Sequence, residues 1–396
     1  RFCQEMSAMK NDNISSILIT AAFCAMIGVF FLLSLLLPKT VFSDTENRYL
    51  AQKPDFRLDT LTDGRFGRQY EEYLSDQFPF RDGWIRMKTA AELAQFKREI
   101  GGVFVGKDGF LMNALYPEDI NRTLLEKNLD ALSAFAKAAS GSLGEEHVRI
   151  LLAPSASQIF TDRLPSSAAP FGESTITDDL LSRLPDVTLL VPVKDAFIQA
   201  YSEKSGKELY YKTDHHWTSY GAYTAYQAWA ASMGLLPYRP EDFEVQTVDT
   251  DFFGTIHSRL NLAASPDSIE LYLPKNAQEY EVFYDGSTEP SHSLYSPEAL
   301  KTKDKYRVFL DGNHGLTKIV NRTAPEGRRL LIIKDSYAHS FAPFASLHFE
   351  EVYMVDLRYY NGKISDFMEE QAITDALVLY QIPGFLAEET AVRIAR

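Results

Sequence analysis

The sequence predicts an α/β protein with a mostly parallel sheet, preceded by an N-terminal transmembrane helix and a helical stem. From about residue 148 onward, short apolar runs alternate with helical patterns, which is typical of a parallel sheet covered by helices. Near the N-terminus, 21 residues from Ile17 to Leu37 carry no charge, which is long enough to cross a bilayer as one helix. The 396 residues suffice for one large domain with an appendage.

The apolar run predicts an uncleaved single-pass anchor through residues 17–37. A secretory signal has a shorter apolar region and a small-residue cleavage site, and Pro38–Phe42 offers no such site. The basic residues that flank the run give a weak orientation signal. An anchor with a short leader usually leaves a long downstream domain outside the cytoplasm. We therefore predict a short cytoplasmic leader (1–13), a transmembrane anchor (14–38) and an extracytoplasmic main domain at the cell membrane.

Residues 39–100 are predicted to form a stem and helical region. Apolar residues between 63 and 98 recur at helical spacing, and Pro79 in Gln77-Phe78-Pro79-Phe80-Arg81 should separate two helices. Asp108-Gly109 predicts the turn of a hairpin. Leucines and a phenylalanine from Leu125 to Phe135 predict a further helix.

The main domain contains six short apolar runs that we interpret as strands. Helices are expected at 220–233 and 340–347, and the less regular segment 240–306 is expected to be an insertion near the functional site. The predicted strands are Val148–Ala153, Val187–Val193, Arg307–Leu310, Leu330–Ile333, Val352–Val355 and Ala376–Tyr380.

Composition excludes several classes of function. The net charge of −14 disfavours binding to a phosphate backbone, so we predict no nucleic-acid partner. Both cysteines, Cys3 and Cys24, precede residue 30, which excludes disulfides and cysteine metal sites in the main domain.

Two distant segments together supply a serine, a histidine and an orienting aspartate. Asp214 and His216 lie two residues apart, so in an extended segment both side chains point to one side, and His215 points away. Ser336 follows the apolar run Leu330–Ile333, where a strand ends and a helix is expected to begin. Ligands bind beyond the carboxyl ends of such strands, and a helix N-terminus offers N–H groups to an oxyanion. The pattern favours acyl transfer or ester hydrolysis.

Each of these residues also has a simpler interpretation. Ser336 suits a helix N-cap. Asp214-His215-His216 suits zinc, but a complete site needs another ligand, and the remaining candidates lack a ligand-like neighbour. These candidates are His257, His314 and His339. We therefore predict no metal and no cofactor.

Four more residues are candidates for contact with the substrate or the oxyanion. Asn313 lies in a glycine-bracketed turn and carries an amide donor, although a plain turn explains it equally well. Tyr337 follows the serine. Trp217 could pack beneath the pair or form a sugar platform. Arg358, just after a strand, could line the site or form an ion pair there.

The segment Tyr211–Thr218, followed by Gly221-Ala222, resembles the signature of DHHW-type proteins. These are similar to the SGNH-hydrolase-like O-acetyltransferases of bacterial exopolysaccharide assembly, the AlgX and AlgJ group. Further matching motifs fall in the expected order, so the resemblance covers about residues 45 to 385. They are Glu46-Asn47-Arg48, Asp76–Arg81, Val105–Gly109, Ala153-Pro154-Ser155 and Lys334–Tyr337.

The resemblance implies an SGNH-hydrolase-like α/β/α sandwich over residues 101–396, with Ser336 as nucleophile, His216 as general base and Asp214 as its orienter. It implies transfer of acetyl to a polysaccharide hydroxyl, with a polytopic membrane acyltransferase as the partner that supplies acetyl groups. The chain departs from the pattern at His215, in place of a small polar residue, and at Lys334-Asp335, in place of Gly-Asp.

Three functions remain open from the sequence. The first is a membrane-anchored O-acetyltransferase, and the second is a carbohydrate esterase with the same three residues and water as acceptor. The third is a non-catalytic glycan-binding assembly protein of the envelope. A separation of Ser336 from His216 beyond hydrogen-bond reach would favour the third.

Overall fold

The computed structural model describes residues 2–43 and 48–396, with side chains described from residue 15 onward. Glu46 and Asn47 of the Glu46-Asn47-Arg48 motif therefore lie outside the described residues. The chain divides into two compact units, residues 1–91 and residues 92–396.

The first unit consists of a long N-terminal helix followed by a small stem. Helix α1 contains Ser15–Leu36, a stretch of 22 residues that is long and apolar enough to span a membrane. The elements of the first unit are α1 (Phe2–Leu36), β1 (Phe42–Ser43), β2 (Arg48–Tyr49), α2 (Leu58–Thr62), α3 (Arg65–Asp76) and α4 (Arg81–Ala94), the last of which reaches the unit boundary. The predicted pair of helices separated at Pro79 is confirmed by α3 and α4.

The second unit begins with a small antiparallel sheet and a long helix. The predicted hairpin is confirmed, because Val103 pairs with Asn113 and Val105 with Leu111 across the turn. Asn121 caps the long helix by accepting a hydrogen bond from the N–H of Leu124 at 3.1 Å. These elements are β3 (Glu99–Ile100), β4 (Val103–Val105), β5 (Leu111–Asn113) and α5 (Arg122–Leu143).

The rest of the second unit is built around a six-stranded sheet in the order β6-β13-β11-β12-β10-β9. In chain order its elements are β6 (Val148–Ala153), α6 (Ala156–Ile159), α7 (Ser174–Arg183), α8 (Val193–Ser202), α9 (Ser219–Ser232), β7 (Phe243–Phe252), α10 (Thr255–Leu260), β8 (Asp267–Pro274), β9 (Tyr280–Tyr284), β10 (Leu316–Asn321), β11 (Arg329–Lys334), α11 (Ala338–Ala345), β12 (Glu351–Val355), α12 (Ile364–Glu370), β13 (Asp375–Gln381) and α13 (Ile382–Ala387).

This sheet is mixed, which corrects the prediction of a mostly parallel sheet. Strands β6, β13, β11 and β12 run parallel, whereas β10 is antiparallel to both β12 and β9. The predicted strands at β6, β11, β12 and β13 are confirmed, while β9 and β10 were missed. Strand β10 mixes polar with apolar residues, as in Leu316-Thr317-Lys318-Ile319, and the apolar run of β9 is only three residues long, Val282-Phe283-Tyr284.

Helices cover both faces of the sheet. Leu330 and Ile332 of β11 pack in a core with residues of α8, α9 and α11. Leu331 and Ile333 of the same strand pack in a second core with residues of α5, α7, α12 and α13. Alternate residues of a strand point to opposite faces, so one apolar strand supplies both cores.

Two predicted strands are wrong. Val187–Leu189 forms a single 3₁₀ turn, and Pro192 has no N–H with which to continue pairing beyond the one bridge from Leu190 to Ile150. Lys305–Val308 also forms a 3₁₀ turn, and Leu310 and Asp311 follow in the left-handed region with φ of 54°. A strand cannot run through two consecutive left-handed residues.

Candidate active site

The candidate site lies at one edge of the six-stranded sheet. The carboxyl ends of the four parallel strands meet there, and the antiparallel β10 begins there, with Leu316 paired to Val355. Ser336 follows β11, Arg358 follows β12 and Asn313 precedes β10. The topology therefore brings these three residues to the same edge, as expected for ligand sites in α/β proteins.

The loop that carries Asp214 and His216 is held by a buried carboxylate from the segment 240–306. Asp267, at the start of β8, accepts hydrogen bonds from the N–H of Lys212 at 2.8 Å and of Thr213 at 2.9 Å. The hydroxyl of Thr213 also donates to it at 2.6 Å. At the ends of the loop Tyr210 and Trp217 form a bridge. These contacts fix a segment that has no regular secondary structure of its own.

His216 joins Asp214 and Ser336 in one hydrogen-bonded chain. Its Nδ1 lies 2.5 Å from Oδ1 of Asp214, and its Nε2 lies 2.7 Å from Oγ of Ser336. Asp214 and His216 are buried. One ring nitrogen therefore faces an acceptor for its proton, and the other faces the hydroxyl.

The Asp214 carboxylate is fixed on both oxygens. Oδ1 also accepts from the backbone N–H of His216 at 3.0 Å, and Oδ2 accepts from the N–H of Thr255 at 2.7 Å. Burial opposes ionisation, but the charges of His215 and His216 and these hydrogen bonds hold the pKa of Asp214 well below its usual range. A Cβ at Gly254 would overlap the carboxylate, so glycine is required where this backbone approaches Asp214.

Aromatic side chains hold the His216 ring. Tyr306 stacks on it with ring centroids 3.8 Å apart and an interplanar angle of 11°. The Tyr306 hydroxyl lies 2.9 Å from Oγ of Ser340, and that oxygen accepts a hydrogen bond from the indole of Trp217, also at 2.9 Å. Trp217 is completely buried and also donates to the carbonyl of Tyr337 at 3.1 Å. Its position is that of a packing residue, the first of the two roles considered from the sequence.

Comparison with known proteins shows a similarity to DHHW proteins. The sequence model for DHHW proteins matches residues 193–355. These residues are therefore similar to DHHW proteins. The match contains Asp214, His216 and Ser336, and it ends before Arg358. The resemblance to DHHW-type proteins is therefore confirmed.

The sequence relatives include probable alginate O-acetylases named AlgJ. The protein from Pseudomonas fluorescens is 22% identical over 244 residues, which is 60% of this chain and 60% of that protein. The protein from Pseudomonas putida is 23% identical over 237 residues, or 53% of this chain and 57% of that protein. The matches thus span less than two thirds of the relatives' length.

Two solved structures share the fold. A DHHW family protein from Eubacterium siraeum superimposes with a TM-score of 0.59 at 22% identity, covering 74% of this chain and 95% of its own. PatB1 of Bacillus cereus gives a TM-score of 0.61 at 20% identity, covering 72% of this chain and 97% of its own. These similarities establish the α/β fold with its mixed sheet.

Within the matched residues 193–355, the turn after β11 is fixed by Asp335. Its buried carboxylate accepts from the N–H of Tyr337 at 2.9 Å and of Gln381 at 2.7 Å. Burial raises the pKa of Asp335 to about 6, although these two hydrogen bonds oppose the rise. The side chain of Tyr337 is also buried, and its hydroxyl donates to the carbonyl of His215 and accepts from Gln381. Tyr337 thus supports the site from within the fold.

Lys334, at the position where the resemblance expects glycine, belongs to a buried ionic cluster. Its Nζ lies 3.1 Å from Oδ2 of Asp356 and 2.8 Å from Nε2 of His339. Burial, together with the charge of Lys334, lowers the pKa of His339 well below its usual value, which leaves the imidazole neutral and able to accept from Nζ. Arg358 donates to both oxygens of Asp356, at 2.8 and 2.6 Å.

Arg358 also connects this cluster to Asn313. Its Nη2 lies 3.2 Å from Oδ1 of Asn313, which is exposed at the sheet edge. The contact orients the amide so that its NH₂ group is left without an acceptor among the described residues. The backbone N–H of Ser336 likewise has no hydrogen-bond acceptor there. Both are donors at the edge that carries the serine.

The prediction that His215 points away from the pair is wrong. Its ring centroid lies 3.9 Å from that of His216, and its Nδ1 lies 2.8 Å from the hydroxyl of Thr255. Residues 212–216 form successive bends rather than an extended segment, so the alternation of a strand does not apply. Burial and the neighbouring His216 lower the pKa of His215 to about 4.

The metal alternative has a partial geometric basis. Ligand atoms of Asp214, His215 and His216 lie within 4.8 Å of one another. However, both oxygens of Asp214 already accept backbone and side-chain N–H groups. Among the other histidines considered as metal ligands, His257 forms a hydrogen bond with the carbonyl of Leu262 at 2.8 Å. His314 bonds Asp285 at 2.9 Å, and His339 bonds Lys334.

Sequence reasoning missed Thr255 and Tyr306, which contact Asp214 and His216 directly. Both lie in the segment 240–306, and the expectation that this segment lies near the site is confirmed. The adjacent pair Gly254-Thr255, a glycine followed by a residue that can donate from both N–H and hydroxyl, was the available signal.

Proposed function

We propose that this chain is a membrane-anchored, extracytoplasmic O-acetyltransferase that acts on a cell-surface or exported polysaccharide. Ser336 is the nucleophile, His216 the general base and Asp214 its orienter. The observation that carries the proposal is the position of His216, 2.5 Å from Asp214 and 2.7 Å from Ser336. Hydrogen-bond reach on both sides is what a serine nucleophile requires.

In the first half of the reaction the serine takes the acetyl group. Oγ of Ser336 attacks the carbonyl carbon of an acetyl donor while its proton passes to Nε2 of His216. Asp214 stabilises the resulting imidazolium through Nδ1. The tetrahedral intermediate collapses, the donor's leaving oxygen or sulfur takes the proton from Nε2, and acetyl remains as an ester on Ser336.

The developing oxyanion needs donors at the sheet edge. The N–H of Ser336 and the NH₂ group of Asn313 are the donors that we assign to it, since neither has an acceptor within the described part of the chain. Arg358 holds Asn313 in the donating orientation, and Asp356 with Lys334 holds Arg358. The substitution of Lys334 for glycine is thereby compatible with the chemistry.

In the second half a sugar hydroxyl replaces the leaving group. His216 removes the hydroxyl proton, the sugar oxygen attacks the acetyl carbon, and Ser336 regains its proton from His216 as the acetylated sugar leaves. Names of the relatives include alginate O-acetylase, which supports a polysaccharide acceptor. Likeness to such enzymes also supports the SGNH-hydrolase-like α/β/α sandwich, and both faces of the sheet carry helices.

Membrane attachment completes the proposal. Helix α1 would anchor the chain, and a polytopic membrane acyltransferase would deliver acetyl groups across the bilayer to Ser336. Water in place of the sugar hydroxyl would make the same site a carbohydrate esterase, because the chemistry of Ser336 is identical. The non-catalytic alternative loses its main support, since Ser336 and His216 lie within hydrogen-bond distance.

The test measures how the full chain, in detergent, divides acetyl groups between sugar acceptors and water. The protein is given a chromogenic acetyl ester with and without neutral and uronate oligosaccharides, and acetylated sugar and free acetate are both quantified by mass spectrometry. We expect acetylated oligosaccharide from the wild type and none from Ser336→Ala. Ser182→Ala, which alters an exposed helix serine that bonds only the Asp179 carbonyl, is the matched control. Free acetate alone, with every acceptor, would favour the esterase; equal activity in S336A would exclude both.

A further inference from the structure

The turn between α3 and α4 and the first turns of α4 present large apolar side chains to the outside. Phe78, Phe80, Trp84 and Met87 are 44%, 64%, 41% and 54% exposed, and we call this set the stem tip. The turn belongs to the motif Asp76–Arg81, which the proposed chemistry does not use. A group of large exposed apolar side chains of this kind is typical of an interaction surface.

The stem tip is held rigidly from behind. Asp76 is buried and accepts from Nη1 and Nη2 of Arg48, at 2.9 and 2.6 Å, and from the N–H of Ala51 at 2.8 Å. The Gln77 side chain accepts from the N–H of Thr40 at 3.0 Å and donates to its carbonyl at 2.8 Å. The polar residues of the motif thus fix the turn, and the aromatic residues are left facing outward.

The backbone conformation of the turn also directs an aromatic side chain outward. Phe80 has a φ of 58°, a left-handed conformation that bulky residues rarely adopt. Such a conformation persists only where the surroundings impose it. Here it directs a phenylalanine ring outward rather than into the unit.

The stem tip lies beside the apolar part of α1. The Phe30 ring stacks on Phe78 with centroids 5.4 Å apart, and it contacts Trp84 at 5.8 Å. Phe30 precedes the end of the apolar stretch at Leu36 by six residues. At a rise of about 1.5 Å per residue, Phe30 lies about 9 Å inside that end. The rings that touch it share its depth.

We infer that the stem tip inserts into the outer interface of the lipid bilayer alongside α1, with phospholipid glycerol and upper acyl-chain groups as its partner. This rests on the proposed anchoring by α1. Because Phe30 lies within the apolar stretch of α1 and contacts Phe78 and Trp84, membrane insertion of α1 brings both to the bilayer. The indole N–H of Trp84 donates to the carbonyl of Pro79 at 3.1 Å, so insertion places no unpaired indole donor in lipid. Aromatic residues are favoured at this depth.

Trp84 allows a direct test with the full chain in nanodiscs of phosphatidylcholine and phosphatidylglycerol. The sequence has three tryptophans, and the other two, Trp217 and Trp229, are completely buried. We expect lipids brominated near the headgroup end of the acyl chain to quench tryptophan emission, and the quenching to be lost in Trp84→Phe. Quenching of Trp84 by aqueous iodide but by no brominated lipid would overturn the inference, and would leave an apolar protein partner as the occupant.

A matched pair of variants tests the role of Phe80. Phe80 and Phe96 are both exposed, by 64% and 83%, and both have a left-handed backbone, with φ of 58° and 62°. Asparagine tolerates that conformation, so each substitution preserves the turn. We expect Phe80→Asn to reduce the quenching of Trp84 by brominated lipid and Phe96→Asn to leave it unchanged. Equal quenching in F80N and the wild type would contradict insertion of the tip.

Cys24 separates failure of the anchor from failure of the inference. It is exposed on α1 within the apolar stretch, and in a Cys3→Ser chain it is the sole thiol. Protection of Cys24 from a water-soluble maleimide in nanodiscs, with labelling in detergent, shows α1 in the bilayer. Protected Cys24 with Trp84 unquenched refutes the stem-tip inference alone. Labelled Cys24 in nanodiscs refutes the anchor and the inference together.

Discussion

Replacement of Asp214 by asparagine tests how the carboxylate controls His216. Oδ1 accepts from the N–H and Nδ1 of His216, and Oδ2 accepts from the N–H and hydroxyl of Thr255, at 2.7 and 3.2 Å. An amide has one accepting oxygen, so its NH₂ group must face two donors in either orientation. If the NH₂ group faces His216, Nδ1 must accept its hydrogen bond. The ring proton then lies on Nε2, which cannot take the proton of Ser336.

The expected loss is large. A wrong tautomer at a serine–histidine pair costs a factor of about 10³–10⁴ in rate, or about 4–5.5 kcal/mol of transition-state stabilisation. The other orientation keeps the tautomer but leaves the Thr255 N–H unpaired, at about 1–3 kcal/mol of stability. Since the pKa of Asp214 is held below its usual range, its carboxylate stabilises the fold above the ordinary aspartate pKa, and this stability is lost as the pH falls. Asp214→Asn lacks that contribution.

The assay is the rate of acylation by a chromogenic acetyl ester under single-turnover conditions near neutral pH. Asp267→Asn is the control, because Asp267 holds the same loop through Lys212 and Thr213, and its hydrogen bonds do not include His216. We expect D267N to remain within about tenfold of the wild type. An acylation rate in D214N within about tenfold of the wild type, or an equal loss in D267N, would refute the tautomer explanation.

Three further changes have defined outcomes. Burial raises the pKa of Glu173 to about 7 despite hydrogen bonds from Ser155. The unfolded chain therefore loses this proton at a lower pH than the folded protein does, so the free energy of unfolding falls as the pH rises from the ordinary glutamate pKa through 7. In Glu173→Gln, the free energy of unfolding measured in urea should change less with pH across this range. The same pH dependence as in the wild type would contradict the assignment of the raised pKa to Glu173. Trp217→Phe removes two hydrogen bonds, so thermal melts should show about 1–3 kcal/mol of destabilisation. An unchanged melt would show that the hydrogen bonds of the Trp217 indole to Tyr337 and Ser340 do not stabilise the fold. Gly254→Ala should slow acylation at least tenfold (about 1.4 kcal/mol) because its methyl group overlaps Asp214. Gly141→Ala is the control, since open space surrounds Gly141, and it should match the wild type. Equal acylation rates in the two variants would refute the requirement for glycine beside Asp214.

The buried strands of the sheet could be predicted because they carry their own signal. Strands β6, β11, β12 and β13 are almost uniformly buried and read as continuous apolar runs. Strand direction has no such local signal. The antiparallel course of β10 depends on its pairing with β12, more than thirty residues later, and the periodicity of Leu316–Asn321 is the same in either direction.

The candidate site could be predicted in its residue types but not in its surroundings. The residue types of Asp214, His216 and Ser336, with Ser336 just after an apolar run, predict the chemistry, and the fold brings them together across 120 residues of sequence. The contact of Thr255 with Asp214, the stacking of Tyr306 on His216 and the burial of Lys334 against Asp356 are all long-range. Apart from the adjacent pair Gly254-Thr255, no local pattern encodes them.

The most direct test of the central claim is the detection of acetyl on Ser336. The full chain is mixed with an acetyl ester and quenched with acid within one turnover, and its peptides are analysed by mass spectrometry. The proposed mechanism predicts one acetyl group on the peptide that contains Ser336, absent in Ser336→Ala and lost from the wild type when an oligosaccharide acceptor is added. Acetylation confined to other residues, or equal in the wild type and S336A, would contradict Ser336 as the nucleophile.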